Sequence, residues 1–116
     1  MLRIMLKSKL HRARVTATEI DYEGSIKVDE NLMDAVGILA FEQVHIYNIK
    51  SGCRFITYTI PGERGSGVIS VNGAAARLVQ INDRIIIAAY GNIDTDTESC
   101  EPQVALLDID NNIVEK

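Results

Sequence analysis

Aromatic residues are scarce in this chain, and tryptophan is absent. Of the 116 residues, four are tyrosine and two are phenylalanine, which amounts to 5%. Sites that stack nucleic-acid bases or enclose quaternary amines depend on aromatic side chains, so both kinds of site are disfavoured. The hydrophobic content is nevertheless 47%. This combination predicts an aliphatic core of Ile, Val, Leu and Ala in a single domain spanning residues 1–116.

Cysteine, long apolar runs and an excess of positive charge are also lacking. The two cysteines, Cys53 and Cys100, are too few and too far apart for a metal-binding motif, so no metal is expected. No apolar run approaches the ~20 residues that cross a bilayer, and no leader sequence is recognisable, which predicts a cytoplasmic protein without a membrane partner. The net charge of -4 argues against a nucleic-acid partner.

Strand patterns dominate the chain. Seven segments are rich in Val, Ile, Thr and Tyr and bounded by turn residues: 2–17, 25–28, 44–49, 54–60, 68–71, 84–90 and 104–109. Turns are predicted at 50–52, 61–62, 82–83 and 110–112. One helix is predicted from an Asp29 N-cap to Gly37, and a second short helical turn at 73–78. These elements favour a mainly β protein closed into a barrel, since closure removes unpaired strand edges.

Five short motifs are informative only in combination. Residues 9–12 read Lys-Leu-His-Arg, residues 22–25 read Tyr-Glu-Gly-Ser, and residues 54–58 read Arg-Phe-Ile-Thr-Tyr. Residues 63–67 read Glu-Arg-Gly-Ser-Gly, and residues 71–76 read Val-Asn-Gly-Ala-Ala-Ala. Alone, Gly-Ser is an ordinary turn at the start of a strand, and Asn-Gly is typical of a hairpin turn. Together, these segments resemble the pyruvoyl-dependent aspartate 1-decarboxylase family over nearly the whole chain.

The resemblance implies a fold and a chemistry. The implied fold is a six-stranded double-psi β-barrel with one or two short helices. The implied chemistry begins with self-cleavage between Gly24 and Ser25 into a β chain, 1–24, and an α chain, 25–116. In the family, the serine becomes a pyruvoyl group, the only cofactor, which forms a Schiff base with the amine of L-aspartate. The product is β-alanine, which feeds pantothenate and coenzyme A biosynthesis.

Residue roles follow from the same resemblance. Thr57 and Asn72 match the hydrogen-bond donors that assist cleavage, Tyr58 matches the proton donor, and Arg54 matches the arginine that binds a substrate carboxylate. Because strand residues alternate between faces, Arg54 and Tyr58 are expected on one face, flanking one ligand. The other implied substrate-binding positions are Lys9, Thr57, Gly73, Ala74 and Ala75. His11 and Tyr22 are candidate pocket residues, and for His11 a structural role is equally open.

The resemblance also implies a homotetramer with its sites between subunits, and the need for an accessory maturation factor is left open. Two alternatives remain. A pyruvoyl decarboxylase for another amino acid, such as glutamate, would differ in the length of the pocket around Arg54. A non-enzymatic β-barrel that binds DNA through its basic N-terminal strand would require an intact chain, and the net charge of -4 argues against it.

Overall fold

Nine β-strands and two short helices make up the fold, which a computed structural model describes over residues 1–116. The strands are β1 (Leu2–Arg14), β2 (Ala17–Glu19), β3 (Ser25–Asp29), β4 (Gln43–Asn48), β5 (Arg54–Gly62), β6 (Ile69–Asn72), β7 (Arg84–Asp94), β8 (Gln103–Leu107) and β9 (Ile113–Glu115). The α-helix α1 spans Glu30–Val36, and a 3₁₀ helix spans Gly73–Leu78. The mainly β prediction is confirmed, as are both predicted helical segments. Neither helix has the length and apolar character needed to cross a bilayer.

The strands form one mixed sheet in the order β2-β6-β3-β5-β4-β7-β1-β8-β9. Three pairs are parallel, namely β1 with β8, β2 with β6, and β3 with β5. Parallel partners cannot be joined by a tight hairpin, so the chain must cross over between them. Strand β5 links the two halves of the sheet because it pairs with β3 on one side and β4 on the other.

The core is aliphatic, as its composition predicts. One cluster of 19 buried residues contains only Ile, Val, Leu, Ala and Met, and Phe55 packs against its edge. Ile46 of β4 and Ile87 of β7 are opposite one another in the sheet and are both fully buried. Burial of one such side chain contributes about 1.5–3 kcal/mol to the free energy of unfolding, so these strands anchor the sheet.

Helix α1 begins and ends where the sequence predicts. The side chain of Asp29 caps its N-terminus by accepting a hydrogen bond from the Asn31 amide at 2.9 Å. Gly37 follows its last turn with φ 73, a left-handed conformation that glycine adopts at low cost. The buried Asp29 carboxylate also accepts hydrogen bonds from the amides of Gly65 and Gly67. One carboxylate therefore fixes both the helix and the following glycine-rich loop.

The predicted turn at Pro61 and Gly62 is wrong. Both residues lie in β5 and pair in parallel with Val28 and Asp29. A Cβ atom on Gly62 would lie 2.4 Å from a methyl carbon of Val68, which no real contact allows. Glycine at this position thus permits close packing between neighbouring segments and does not mark a reversal of the chain.

Other strand boundaries also differ from the predictions. The predicted strand 2–17 is two strands, because the chain leaves β7 after Arg14 and residues 17–19 pair with β6. Strand β7 extends to Asp94, where it pairs with the start of β1. The short strand β9 has no counterpart in the predictions. Three-residue strands such as β2 and β9 carry too little alternation to be recognised in a sequence.

The strands β4 and β5 present a largely polar and aromatic surface on the side away from the core. Directly opposed residues in an antiparallel pair share a face, and the register pairs Tyr47 with Arg54, His45 with Ile56, and Gln43 with Tyr58. We call this surface the outer face and define it by these six residues. It adjoins the start of β3, where the Gly-Ser pair lies.

Candidate active site

The Gly24-Ser25 peptide bond lies at a boundary between solvent and core. Ser25 is the first residue of β3 and its exposed fraction is 1%, whereas Gly24 is exposed in the preceding turn. Ser25 pairs with Asn72 of the antiparallel strand β6. The peptide bond is therefore held in the sheet on one side and accessible from the other.

A chain of three hydrogen bonds fixes the Ser25 hydroxyl. Asn72 donates from Nδ2 to Ser25 Oγ at 3.1 Å, and Ser25 Oγ donates to the Glu23 carbonyl at 3.1 Å. The Asn72 amide is fixed in turn, because Ser70 Oγ donates to its Oδ1 at 2.9 Å. The side chains of Ser70, Asn72 and Ser25 are all buried. The serine hydroxyl thus has both its donor and its acceptor defined by the fold.

Gly73 allows the preceding turn to approach. Its φ is 75, and a Cβ atom built on it would lie 2.7 Å from Gly24 Cα, 2.8 Å from Gly24 N and 3.1 Å from the Tyr22 carbonyl oxygen. Nothing lies within 4 Å of a Cβ built on Gly24 itself. Gly73 is thus required for contact with the Gly24 segment, while Gly24 faces open space.

An open cleft of about 640 Å³ reaches this segment. Its lining comprises Gly24, Ile56, Thr57, Tyr58, Ala74, Ala75, Arg77 and Leu78. Most of these residues come from β5 and from the start of the 3₁₀ helix, where small side chains leave space. The cleft joins Gly24 to four of the predicted site residues within one chain. We call it the Gly24 cleft.

Arg54 lies in a separate cleft, lined by His45, Tyr47, Arg54, Phe55 and Ile56. The guanidinium carbon is 4.4 Å from the centroid of the Tyr47 ring, a cation–π distance. Tyr47 is held by a hydrogen bond between its hydroxyl and that of Tyr90 at 2.8 Å. This bond, burial and the neighbouring Tyr47 hydroxyl together raise the pKa of Tyr90. An aromatic platform therefore supports the arginine.

Arg54 and Tyr58 share the outer face, as alternation along the strand predicts, but they line different clefts. Four residues of extended strand separate their Cα atoms by about 13 Å. Ile56 lies between them, lines both clefts and is 58% exposed. That the two side chains flank one ligand therefore stays a prediction.

Lys9 and His11 lie on β1, which is separated from β5 by β4 and β7. Neither lines the Gly24 cleft or the Arg54 cleft. The Nδ1 atom of His11 is buried without a hydrogen-bond partner. Burial, followed by the charges of Lys9, Arg12 and Arg84, lowers the pKa of His11. The Tyr22 side chain is 50% exposed, and only its backbone carbonyl reaches Gly73.

Comparison with known proteins identifies the family of this chain. The model of the family "Aspartate decarboxylase" matches residues 1–114. The chain belongs to the aspartate decarboxylase family. Aspartate 1-decarboxylase of Halorhodospira halophila is 52% identical over 113 residues, covering 97% of this chain and 90% of that protein. Its counterpart in Alkalilimnicola ehrlichii is 56% identical over 110 residues, covering 94% and 87%. The Bacillus cereus strain AH187 protein is 53% identical over 116 residues, covering 99% and 91%.

Membership of the aspartate decarboxylase family confirms the resemblance and the prediction of an enzyme. Solved structures add the fold. The computationally designed protein msDPBB_sym2 has a TM-score of 0.50 at 20% identity, covering 65% of this chain and 92% of its own. The rationally designed mkDPBB_sym_86 has a TM-score of 0.50 at 10% identity, covering 72% and 95%. Both are double-psi β-barrels, which confirms the predicted fold, although nine hydrogen-bonded strands are present in place of the expected six.

Three side chains with clear contacts at the site were missed by sequence reasoning. Ser70 bonds Asn72, and Tyr47 and Tyr90 support Arg54. Ser70 could have been found, because residues two apart on a strand share a face and Asn72 was already a candidate. Tyr47 and Tyr90 could not, because only the sheet register brings residues 43 apart in sequence together.

Proposed function

We propose that this member of the aspartate decarboxylase family converts L-aspartate to β-alanine and carbon dioxide after cleaving itself between Gly24 and Ser25. The proposed products of cleavage are 1–24 and 25–116, two parts of one domain. The observation that carries the proposal is the buried Ser25 hydroxyl, hydrogen-bonded on both sides and adjacent to an exposed Gly24. Family membership adds the reaction, since relatives at 52–56% identity are named aspartate 1-decarboxylase.

The proposed cleavage uses only the chain and one water molecule. Ser25 Oγ attacks the Gly24 carbonyl carbon, and the bond from that carbon to the Ser25 nitrogen breaks, leaving an ester. Loss of the Ser25 α-proton then breaks the ester C–O bond, which gives a Gly24 carboxylate and a dehydroalanine. Water converts the dehydroalanine to a pyruvoyl group and releases ammonia. The attacking group is already tethered to its target, which can save about 7–11 kcal/mol of the barrier.

Groups around the peptide bond are suited to this chemistry. The oxyanion formed at the Gly24 carbonyl needs a nearby donor, and Thr57 lines the same cleft as Gly24. Asn72, bonded to the Ser25 hydroxyl, orients the nucleophile and is within reach of the same peptide. Gly73 admits the turn without a side-chain clash. Glycine at position 73 and the open space beside Gly24 leave room for the carbonyl carbon to become tetrahedral.

The residues of the Gly24 cleft also fit a pyruvoyl group at position 25. A buried chain end would lie against Asn72, with Ala74 and Ala75 leaving room for a small amino acid. Once formed, the group supplies a carbonyl that condenses with the substrate amine and withdraws electrons as a carboxylate leaves. Tyr58 lines this cleft and is proposed to deliver the proton that replaces the carboxylate. The substrate therefore meets the small residues and the proton donor at one place.

A second copy of the chain is proposed to complete the site. Arg54 provides a bidentate grip for a carboxylate, but it is separated from the Gly24 cleft by Ile56. The surface nearby is apolar, since Ile56 is 58% exposed and Phe41, which packs beside Tyr58, is 73% exposed. Covering this surface with a neighbouring subunit would bury it and bring in a second Arg54. Lys9 reaches the site in the same way in the proposed homotetramer.

Intact-mass measurement of the purified protein tests the proposal. Denaturing mass spectrometry should find fragments 1–24 and 25–116, with the larger fragment one ammonia lighter than a chain beginning with serine. The Ser25→Ala variant should remain whole and inactive, and the cleaved protein should release carbon dioxide from L-aspartate. Cleavage on warming without additions would show that no accessory maturation factor is required. A wild-type chain that stays intact even in a cytoplasmic extract would contradict the proposal.

A further inference from the structure

We propose that Ser70 is a positioning residue for self-cleavage, acting on the nucleophile through Asn72. The inference rests on the proposed function, because it concerns the same peptide bond. Ser70 does not contact Ser25; its hydroxyl donates to Asn72 Oδ1 at 2.9 Å, and Asn72 Nδ2 donates to Ser25 Oγ at 3.1 Å. Both side chains come from β6 and lie on one face of that strand.

The direction of each hydrogen bond in this chain is determined at its ends. Ser25 Oγ donates its only proton to the Glu23 carbonyl. Its bond with Asn72 must therefore be one that it accepts, which requires the amide NH₂ of Asn72 to face Ser25. Asn72 Oδ1 therefore faces Ser70, whose hydroxyl is its donor. With Nδ2 directed at Ser25, the lone pairs of Oγ that would attack Gly24 are held in a defined orientation. Rotation of the amide would release them.

Loss of the Ser70 hydroxyl would leave the buried Asn72 oxygen without a partner. Asn72 is 2% exposed, so water does not readily replace the missing donor. A buried acceptor without a partner favours any rotation of the side chain that restores a hydrogen bond. The amide would then spend part of its time turned away from Ser25, and productive attack on Gly24 would become less frequent.

The strand itself does not depend on the Ser70 hydroxyl. The backbone of Ser70 pairs with Ala17 of β2 and Lys27 of β3, and its side chain bonds only Asn72. A change at the hydroxyl therefore affects the orientation of Asn72 more directly than it affects the sheet. This separates a positioning role from a purely structural one.

The test follows the rate of cleavage of uncleaved protein purified in the cold, after warming, by denaturing mass spectrometry. Ser70→Ala should cleave about three- to tenfold more slowly than wild type, the change expected from one neutral hydrogen bond. Ser70→Thr keeps the hydroxyl and should restore the rate to within about twofold. Thr59→Val is the matched control, because the Thr59 hydroxyl is also buried but donates to the Leu39 carbonyl. It should cleave at the wild-type rate.

Thermal unfolding of each uncleaved chain separates positioning from stability. The inference is overturned if Ser70→Ala cleaves at the wild-type rate, or if Ser70→Ala and Thr59→Val are slowed alike. It is also overturned if Ser70→Thr folds as stably as wild type yet cleaves as slowly as Ser70→Ala. Should Ser70→Ala not fold, Ser70→Cys replaces it, with an expected rate between those of serine and alanine. A wild-type chain that never cleaves rejects the proposed function itself, whereas normal wild-type cleavage with an unaffected Ser70→Ala rejects only this inference.

Discussion

The Gly24 segment and the Arg54 region differ in how completely a single chain builds them. At Ser25, the side chains of Ser25, Asn72 and Ser70 are hydrogen-bonded within the same chain, and all three are buried. Around Arg54, the guanidinium lies on an aromatic ring at the surface with no carboxylate near enough for an ion pair. The exposed side chain of Ile56 borders that region, and the exposed ring of Phe41 lies further along the same surface, beside Tyr58.

Under the proposed function, this difference separates self-cleavage from turnover of L-aspartate. Groups that act on the chain's own peptide bond must be in place before any partner or substrate binds, so they are assembled by the fold of one chain. Groups that bind a carboxylate can remain open until a neighbouring subunit covers them. Cleavage is thus expected to respond to changes in β3, β6, the 3₁₀ helix and Thr57 of β5, whereas substrate affinity is expected to respond to changes on the outer face.

The largest effect is expected from Gly73→Ala. Its Cβ atom would lie 2.7 Å from Gly24 Cα, so the cleavage segment must move, and φ of 75 adds strain. We expect cleavage at least about a hundredfold slower, since a displacement of about 1 Å can have that effect on a tethered reaction. Intact-mass kinetics provide the measurement.

Gly52→Ala is the matched control for this change. Gly52 has φ of 79, so both variants carry the same backbone strain of about 1–2 kcal/mol, but nothing lies within 4 Å of a Cβ at this site. Equal slowing of cleavage in both variants would mean that strain alone, and not contact with Gly24, determines the result. The two regions would then be less distinct than their geometry indicates.

Arg54→Ala should have the next largest effect, and it should affect the reaction with L-aspartate without affecting self-cleavage. Loss of a bidentate charged contact is expected to raise KM for L-aspartate by about 10- to 100-fold, with cleavage at Gly24 unchanged. Arg54→Lys should recover part of the affinity, because it keeps the charge and loses the fork geometry. Steady-state kinetics on fully cleaved protein measure both variants.

Mixed oligomers decide whether Arg54 acts across a subunit boundary. At an L-aspartate concentration well below KM, Arg54→Ala and Tyr58→Phe chains should each have little activity alone. They should regain activity when unfolded and refolded together, because some sites then contain neither substitution. Separately refolded samples combined afterwards are the control. If mixed refolding gave no gain in activity, both residues would act in the site of one subunit. This result would contradict the proposal that a neighbouring subunit supplies Arg54.

The sequence predicted the two helices, which depend on contacts between residues close in the chain, better than it predicted contacts that depend on the register of the sheet. Asp29 and Gly37 fix the ends of α1 through neighbours a few residues away, and both were identified from residue type alone. The 3₁₀ helix after Asn72 was found in the same way. The Gly24-Ser25 site depended on resemblance, because nothing in its own residues distinguishes it from an ordinary turn.

Long-range packing accounts for the errors. Pro61 and Gly62 have the composition of a turn, yet the space left beside Val68 places them in a strand. The sequence pattern also did not show that Arg54 lies outside the Gly24 cleft. Alternation indicates which face of the strand a side chain is on, and it does not indicate how far apart two residues on that face are. Sequence patterns thus specified which residues share a surface, and the sheet specified which of them meet.

A smaller effect is expected from the tyrosine pair beneath Arg54. Tyr90→Phe removes the hydroxyl that fixes Tyr47 but leaves both rings, and it should raise KM for L-aspartate about two- to fivefold. In Tyr47→Phe, the pKa of Tyr90 should fall toward its ordinary value, because its hydrogen-bond partner is lost. NMR titration of the Tyr90 ring follows that change. If the pKa of Tyr90 stayed raised in Tyr47→Phe, burial and not the hydrogen bond would be the main cause of the shift.

The smallest effect concerns His11 and pH. Because its pKa in the folded chain lies below the ordinary value of 6.5, the unfolded chain binds more protons as pH falls through that value. The stability due to neutral His11 is therefore fully present above about pH 6.5 and declines below it. His11→Gln should unfold at a temperature that depends less on pH between about 7.5 and 5.

Salt distinguishes the causes of the His11 shift. Repulsion from Lys9, Arg12 and Arg84 is screened by added salt, whereas the larger contribution from burial is not. The difference in pH dependence between wild type and His11→Gln should therefore shrink at high salt but persist. If this difference vanished at high salt, charge repulsion alone would lower the pKa of His11. An anionic substrate near β1 would then be expected to raise that pKa. Persistence would indicate a structural role for His11, a partly buried residue whose Nδ1 atom is buried, in contrast to the open surface around Arg54.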